Sequence, residues 1–348
     1  MKAVVIREHG DESVLRLEER PRPVPAADEV LVRVRAVGLN HLDLWVRGGI
    51  PGVSYPLPII PGCEAVGVVE EAGSAARGVK AGDEVVVAPG VSCGRCRECA
   101  SGNDNLCRYY GIIGESRDGG CAGFISIPAV NALPRPKSLA AEQAAAMPLV
   151  FLTAWHMLLA RAGLRPGDTV LVHAAGSGVG SAAIQIARMH GARVLATAGS
   201  EAKREKARAL GAHETLDYST PAWVDEVRRL TGKRGVDIVF EHTGAATWDG
   251  SVRSLAKGGR LVTCGATTGH EVPVNLRLLF FKSLSLLGST MGSRAELIEI
   301  LQHAEAGLLR PVVDRVLPLG QVQEAHRLIG RREQFGKIVL SVPAEAAQ

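Results

Sequence analysis

One stretch restricts the fold more than any other. Thr169–His173 is a short apolar, β-branched run that breaks at Gly176-Ser177-Gly178-Val179-Gly180, and a helix-patterned segment carrying Ile184, Ile186, Ala187 and Met189 comes directly after it. Glycines are needed where a strand turns into a helix if a pyrophosphate is to approach the backbone and rest on the helix N-terminus. The glycine spacing alone is a weak signal, and its context makes it specific. Further strands are expected at Arg193–Thr197, Glu214–Asp217, Val236–Glu241 and Arg260–Cys264, with a helix filling each gap and Ser283–Gly288 as an edge strand. Alternation at that interval predicts right-handed βαβ units and a doubly wound parallel sheet of Rossmann type over residues 138–295, with Gly176, Ser177, Gly178, Val179 and Gly180 cradling a dinucleotide.

The rest of the chain has a different texture. Short strands between turn residues are expected at Ala3–Ile6, Glu29–Ala36, Ala65–Glu70, Glu84–Ala88 and Gly123–Ile127, with little helical periodicity before Pro134-Arg135-Pro136. Ala140–Ala162 reads as one helical stretch, and the tail from about 296, with strands at Val312–Leu317 and Lys337–Val342, reads as a return to the first domain. The expected organisation is therefore a mostly β domain over 1–137 and 296–348 and a dinucleotide domain over 138–295. A length of 348 residues suits two cores. Forty Lys and Arg against 36 Asp and Glu leave +4 spread along the chain, so charge gives no reason to expect nucleic acid or a membrane as partner. The N-terminus lacks the apolar run of an export signal, and the uncharged run Gln143–Ala160 falls short of the roughly 20 residues a span needs. A cytoplasmic location is expected.

Four of the seven cysteines, Cys93, Cys96, Cys99 and Cys107, crowd into GVSCGRCRECASGNDNLC over residues 90–107. Reduced thiols bunched in this way point to a metal rather than to disulfides. Four thiolates on a flexible loop close a tetrahedron around one Zn²⁺ and leave no open coordination position, so a zinc lobe at 90–110 would organise structure and do no chemistry. Iron–sulfur runs space their last two cysteines differently, and no second cluster motif is present.

At the end of the second strand of the dinucleotide domain, where an acid would grip an NAD ribose, the sequence reads Ala196-Thr197-Ala198-Gly199-Ser200. Ser200 followed by Lys203 and Arg204 instead offers a hydroxyl and cations to a 2′-phosphate, which favours NADP(H). Ser200 also suits the N-cap of the next helix, and the two roles are compatible.

Together these features resemble the medium-chain dehydrogenase/reductase superfamily, in which a GroES-like catalytic domain with a structural zinc lobe precedes and follows a Rossmann domain. Gly38-Leu39-Asn40-His41-Leu42-Asp43 is similar to the zinc alcohol dehydrogenase motif, but Asn40 stands at a cysteine ligand position and Leu42 at the Ser/Thr proton-relay position. In Pro61-Gly62-Cys63-Glu64, Cys63 stands at a histidine ligand position, and in Pro148–Ala154, Leu149 stands at the third. The Asn in GLNxxD and the PGxE motif resemble the quinone oxidoreductase branch, which works without catalytic zinc, although that branch usually lacks the cysteine lobe. By this resemblance Ser200, Lys203 and Tyr218 contact the NADPH phosphate. His41 lies near the pyrophosphate and Thr153 beside the nicotinamide. Thr243, Gly265 and Ala266 line the ribose and carboxamide, and Lys337 sits near the phosphates. A homodimer through the sheet edge is implied as well.

Without a Lewis acid or hydroxyl relay, oxidation of an unactivated alcohol is disfavoured, and hydride transfer to a quinone or an α,β-unsaturated carbonyl is easier. The oxygen that gains charge needs only hydrogen-bond donors. Asn40 and Tyr55 are the expected donors, with Asp43 and Glu64 orienting neighbours or holding a water, and Cys63 a packed thiol. The residues leave two other readings open. One is a zinc alcohol dehydrogenase using Cys63, Glu64, Asp43 or His41 as variant ligands; the other is a non-catalytic zinc- and dinucleotide-binding protein meeting nucleic acid through Arg95, Arg97 and Arg108.

Overall fold

The strand Glu29–Gly38 organises the first half of the molecule, because three others pair with it. Glu64–Ala72, Phe124–Pro128 and Lys337–Ser341 all run antiparallel to it in a seven-stranded, mostly antiparallel sheet. In the computed structural model, which describes residues 1–347, this sheet belongs to a unit made of Met1–Leu152 and the chain from Gly292 onward. The core that closes it gathers Val4, Ile6, Leu15, Val30, Val32, Ile127 and Leu340, all essentially dry. The register of this sheet builds one corner: Glu64 lies opposite Gly38, as does Val339, so two strand ends and the middle of a third strand meet beside Leu39-Asn40.

Thr153–Met291 forms the second unit. Its six parallel strands run, edge to edge, Glu214–Leu216, Arg193–Thr197, Thr169–Val172, Val236–Glu241, Leu255–Thr263 and Ser285–Gly288. The order reverses between Thr169–Val172 and Val236–Glu241, and in open parallel sheets ligands bind outside the carboxyl ends of the strands at such a switch point. Leu171, Leu195, Val227, Val239 and Leu261 fill its core. The doubly wound α/β fold and the GroES-like β unit are thus both present.

Several local expectations needed revision. His41–Gly48 is a helix, where little helical periodicity was visible; eight residues with only Val46 and Asp43 buried give too short an apolar stripe to recognise. Ala140–Ala162 is not continuous: helices at Ala141–Ala145 and Pro148–Trp155 are separated by a break, since Pro148 starts a new first turn, and the chain goes on as a π-helical segment at His156–Arg161. Arg16–Glu19 pairs with Lys2–Val5, unforeseen because its side chains are mostly exposed. The units divide at Leu152/Thr153 and Met291/Gly292, with Ala141–Ala145 packing on the first sheet. Among the described residues no helix is long and apolar enough to cross a membrane.

Candidate functional site

Gly38 has no side chain for a steric reason: a Cβ there would lie 2.1 Å from the Ala145 carbonyl oxygen and 2.7 Å from Glu64 Oε2. That close approach lets the next residues collect a buried polar cluster. Asn40 is the N-cap of His41–Gly48, and its backbone N–H donates to Asp43 Oδ2 at 2.7 Å, while Gly62 N–H donates to Asp43 Oδ1 at 3.0 Å. The Asn40 amide donates to Glu64 Oε2 at 2.9 Å and to Cys63 Sγ at 3.3 Å. Lys337 reaches in from the C-terminal strand and places its three protons on Leu39 O (2.5 Å), Asn40 Oδ1 (2.5 Å) and Glu64 Oε2 (2.7 Å). Glu64 Oε1 accepts the backbone N–H groups of Leu149 and Val150. Asn40, Asp43, Cys63, Glu64 and Lys337 are all buried.

The chemistry of this cluster differs from that of a metal centre. Its donors and acceptors are already matched: the Asn40 amide is engaged at both ends, and Lys337 is spent on three acceptors rather than left for a phosphate. Leu149 contributes its backbone, not its side chain. Burial raises the Asp43 carboxyl to about 6 despite the N–H groups of Asn40 and Gly62 and the nearby Lys337 ammonium. Burial, then the Asp43 and Glu64 carboxylates, push the Cys63 thiol well up, so it is a packed thiol and not a nucleophile. An ammonium within contact of the ligand positions disfavours a cation there. Among the described residues the only convergence of three or more His, Cys, Asp or Glu ligand atoms is the cysteine lobe.

Tyr55 stands apart from the cluster, its ring edge-on to His9 at 5.4 Å. Its hydroxyl is buried without a hydrogen-bond partner, and burial raises its pKa, so the phenol keeps its proton. Sequence reasoning missed Tyr110, whose hydroxyl is likewise buried and unpartnered, and Glu115, whose carboxyl burial raises. Neither belongs to a motif, and the signal was only their position just after the last lobe cysteine. His41 opens its helix with its ring edge-on to Trp45 at 5.4 Å.

In the lobe, the four sulfurs lie within 4.8 Å of one another, with Cys96–Cys99 at 3.5 Å and Cys93–Cys99 at 4.0 Å. A tetrahedron with 2.3 Å bonds needs sulfurs about 3.8 Å apart, so the set fits one Zn²⁺. The backbone N–H groups of Arg95 and Cys96 bring the Cys93 thiol down to about 6, and those of Cys93 and Tyr109 donate to Cys107 Sγ. Buried Asp104 accepts the Arg294 N–H at 3.0 Å, anchoring the lobe to the helix Arg294–Glu305.

In the second unit the glycine turn lies at the switch point. Ser177 caps the helix Gly178–Met189 by accepting the Gly180 N–H at 2.9 Å, and Val179 lies in that helix's first turn. Ser200 caps the helix Glu201–Ala209, accepting the Lys203 N–H at 3.4 Å. The Tyr218 hydroxyl lies 3.3 Å from where a Gly199 Cβ would stand, so Ser200 and Tyr218 flank one backbone turn. Arg204 is tied to Glu201 at 2.8 Å and Asp217 at 3.0 Å. Thr153 is buried on the helix Pro148–Trp155. Thr243 Oγ1 is buried without a partner beside the Gly265-Ala266 loop, a hydroxyl suited to pairing with a ribose or carboxamide group. His173 and Glu241, both wholly buried beneath these turns, were not singled out from the sequence, since a His and a Glu ending apolar strands look like ordinary strand termini.

Comparison with known proteins agrees with this arrangement. Residues 26–137 match the alcohol dehydrogenase GroES-like domain family and residues 178–306 the zinc-binding dehydrogenase family. A quinone oxidoreductase of Rattus norvegicus is 30% identical, spanning 98% of this chain and 97% of its own. An acryloyl-coenzyme A reductase of Sulfurisphaera tokodaii is 30% identical over 98% of this chain and 99% of its own. The crystal structure of an NAD-dependent alcohol dehydrogenase superposes with a TM-score of 0.96 at 51% identity, covering 99% of this chain and 100% of that one.

Proposed function

The chain belongs to the medium-chain dehydrogenase/reductase superfamily and is an oxidoreductase of small molecules, and from that premise we propose that it reduces quinones or α,β-unsaturated carbonyls with NADPH and without a catalytic metal. The observation that carries this reading is Lys337. A buried ammonium bonded to Asn40 and Glu64 stands among the positions that would hold a catalytic zinc, and Leu149 offers no ligand atom.

Bound NADPH supplies the hydride; the chain must hold the acceptor and the proton. With an enone the hydride adds to the β-carbon, the electron pair moves to the carbonyl oxygen, and a proton completes the product. Tyr55 is the better donor to that oxygen, since its O–H has no competing acceptor while both Asn40 amide protons are engaged. Asn40, Asp43, Glu64 and Lys337 then act as the rigid floor of the site. Zinc at Cys93, Cys96, Cys99 and Cys107 has no open position and holds the lobe in shape.

Ser200, Lys203 and Tyr218 support NADPH over NADH, and Lys203→Ala would weaken NADPH while sparing NADH. The edge strand Ser285–Gly288 and exposed Phe280 and Phe281 support a homodimer, to be checked by light scattering. A cytoplasmic location goes with these reduced thiols. The 51% identity to an NAD-dependent alcohol dehydrogenase favours a second reading, NAD-linked alcohol oxidation through variant zinc ligands. One experiment separates them: after mild chelation that leaves one zinc in the lobe, NADPH oxidation by quinones and enones should persist. Turnover that vanishes and returns with added Zn²⁺ would establish the alcohol dehydrogenase instead.

A further inference from the structure

Glu241, the last residue of Val236–Glu241, is wholly buried at the carboxyl end of the parallel sheet. Its Oε1 accepts the backbone N–H groups of Thr243 (2.6 Å) and Gly244 (3.1 Å), and its Oε2 accepts the hydroxyls of Thr247 and Ser251, both at 2.8 Å. Four donors explain how a dry carboxylate stays ionised, since each hydrogen bond favours its charged form. Burial in turn lowers His173 to about 4, so His173 is neutral near pH 7.

Those facts fix the protons. Ser251 gives its only proton to Glu241, so at 2.9 Å it must accept from His173 Nε2–H. His173 Nδ1 is therefore an acceptor and takes the Thr197 hydroxyl at 3.1 Å. Thr197 Oγ1 then accepts the Ala174 N–H at 3.2 Å, and Ala174 (φ +46°) opens the glycine turn. One directed chain thus runs from the Thr243-Gly244 turn through Glu241, Ser251, His173 and Thr197 to the start of Gly176–Gly180. The Thr243 end is locked further. Gly244 (φ +93°) is so tight against the next loop that a Cβ would lie 2.5 Å from Gly269 O and 3.0 Å from Ala266 Cα, and Thr268 donates to Thr243 O through its N–H and its hydroxyl. Beside this lock lies the buried, unpartnered Thr243 Oγ1.

We propose that Glu241 is a positioning residue for the cofactor: through its two N–H contacts and the Ser251–His173–Thr197 chain it holds the Thr243-Gly244 turn in register with the glycine turn, so that Thr243 Oγ1 meets the nicotinamide half of the dinucleotide. This rests on the proposed dinucleotide binding and adds the group that sets the site's geometry. The adenosine half, expected at Ser200, Lys203 and Tyr218, lies beyond the ends of the strands Arg193–Thr197 and Glu214–Leu216, and the chain that starts at Glu241 stops at Thr197 without bonding any of the three.

The test compares whole and half ligands on the full chain. In Glu241→Gln the shape is kept, but the charge is lost and, because the NH2 that replaces Oε2 can only donate, both hydroxyls must reverse their hydrogen bonds. NADPH should bind about tenfold more weakly by calorimetry, as expected for losing hydrogen bonds to a charged group, while adenosine 2′,5′-bisphosphate should bind within about twofold of wild type. In the ligand-free protein, amide exchange at Thr243 and Gly244 should quicken. Equal losses for both ligands, or none for either, would overturn the positioning role. Should Glu241→Gln fail to fold, Thr247→Ala and Ser251→Ala, each deleting one donor, must show the same split to a smaller degree, or the proposal falls. A wild-type protein that binds neither ligand would defeat the dinucleotide reading itself, which is a different outcome.

Discussion

Two regions of the first unit gather thiols and charged groups in different ways. The lobe keeps four sulfurs within 4.8 Å of one another on a half-exposed loop, with backbone N–H groups aimed at sulfur. The buried cluster holds one thiol, Cys63, together with an amide and an ammonium that satisfy the Glu64 carboxylate directly. A thiolate set repels itself and needs a cation to close it, whereas the cluster brings its own cation on Lys337. A buried carboxylate can therefore be balanced without a metal, by an ammonium and an amide of the chain itself.

The sharpest way to break this comparison is to remove that ammonium. Lys337→Met should destabilise the protein by about 3–5 kcal/mol, because Glu64 is left as an uncompensated charge in a dry site. Denaturant unfolding checks it, and adding Glu64→Gln should recover a good part of the loss. If Lys337→Met costs no more than a surface change, the ammonium is not what holds the cluster.

Acidity probes the same cluster with a smaller expected effect. Asp43 titrates at about 6 in the folded chain against 3.8 for an ordinary aspartate, so between those values the native state holds a proton that the unfolded state lacks. Stability from this group is therefore gained as pH falls through 6, is complete below 3.8, and is lost again on raising the pH. At most this is about 1.4 kcal/mol per pH unit. Subtracting the stability profile of Asp43→Asn from that of wild type between about pH 7 and 4 should isolate it, and parallel profiles would contradict the elevated pKa.

For the lobe the expected change is smaller, since it orders a loop rather than the core. Purified protein should carry about one zinc per chain, and Cys99→Ser should lower the melting temperature by less than Lys337→Met does. A Cys99→Ser protein with full zinc and unchanged melting would show that the sulfurs do not act as a set.

How much of the molecule was legible in the chain depends on the range of each signal. The lobe was readable because its four ligands lie close together in sequence, from Cys93 to Cys107, and the parallel sheet because strand, glycine turn and helix recur in order. Asn40 and Cys63 were recognisable as replaced ligands from their motifs. Lys337 was not recognisable as the group that compensates them: it lies at the far end of the sequence from Asn40, and only the pairing of Lys337–Ser341 with Glu29–Gly38 brings the two together. The Glu241–Ser251–His173 chain was hidden for the same reason, as its members lie on separate strands and helices whose adjacency is set by sheet order. Asn40 and Tyr55 were paired as donors from residue type alone, and burial with hydrogen-bond count is what separates them.

The smallest expected effect sharpens the comparison most, because it sets the same residue type in both regions. Cys63 is buried at 1% exposure, its thiol pushed well above the ordinary range by burial and the adjoining carboxylates, and it accepts an Asn40 contact longer than the one Glu64 accepts. Cys93 sits half-exposed with its thiol lowered to about 6 by the Arg95 and Cys96 N–H groups. Cys63→Ala should therefore cost only about 1 kcal/mol, the worth of a weak hydrogen bond and a small packing defect, and leave NADPH oxidation nearly unchanged. An alkylating reagent should label Cys93 rapidly once zinc is stripped, since the thiolate is the reacting form, and should reach Cys63 only on unfolding. Rapid labelling of Cys63 in the folded protein, or loss of turnover in Cys63→Ala, would mean that this thiol keeps a working role and that the buried cluster is a modified reactive centre rather than a site rebuilt around Lys337.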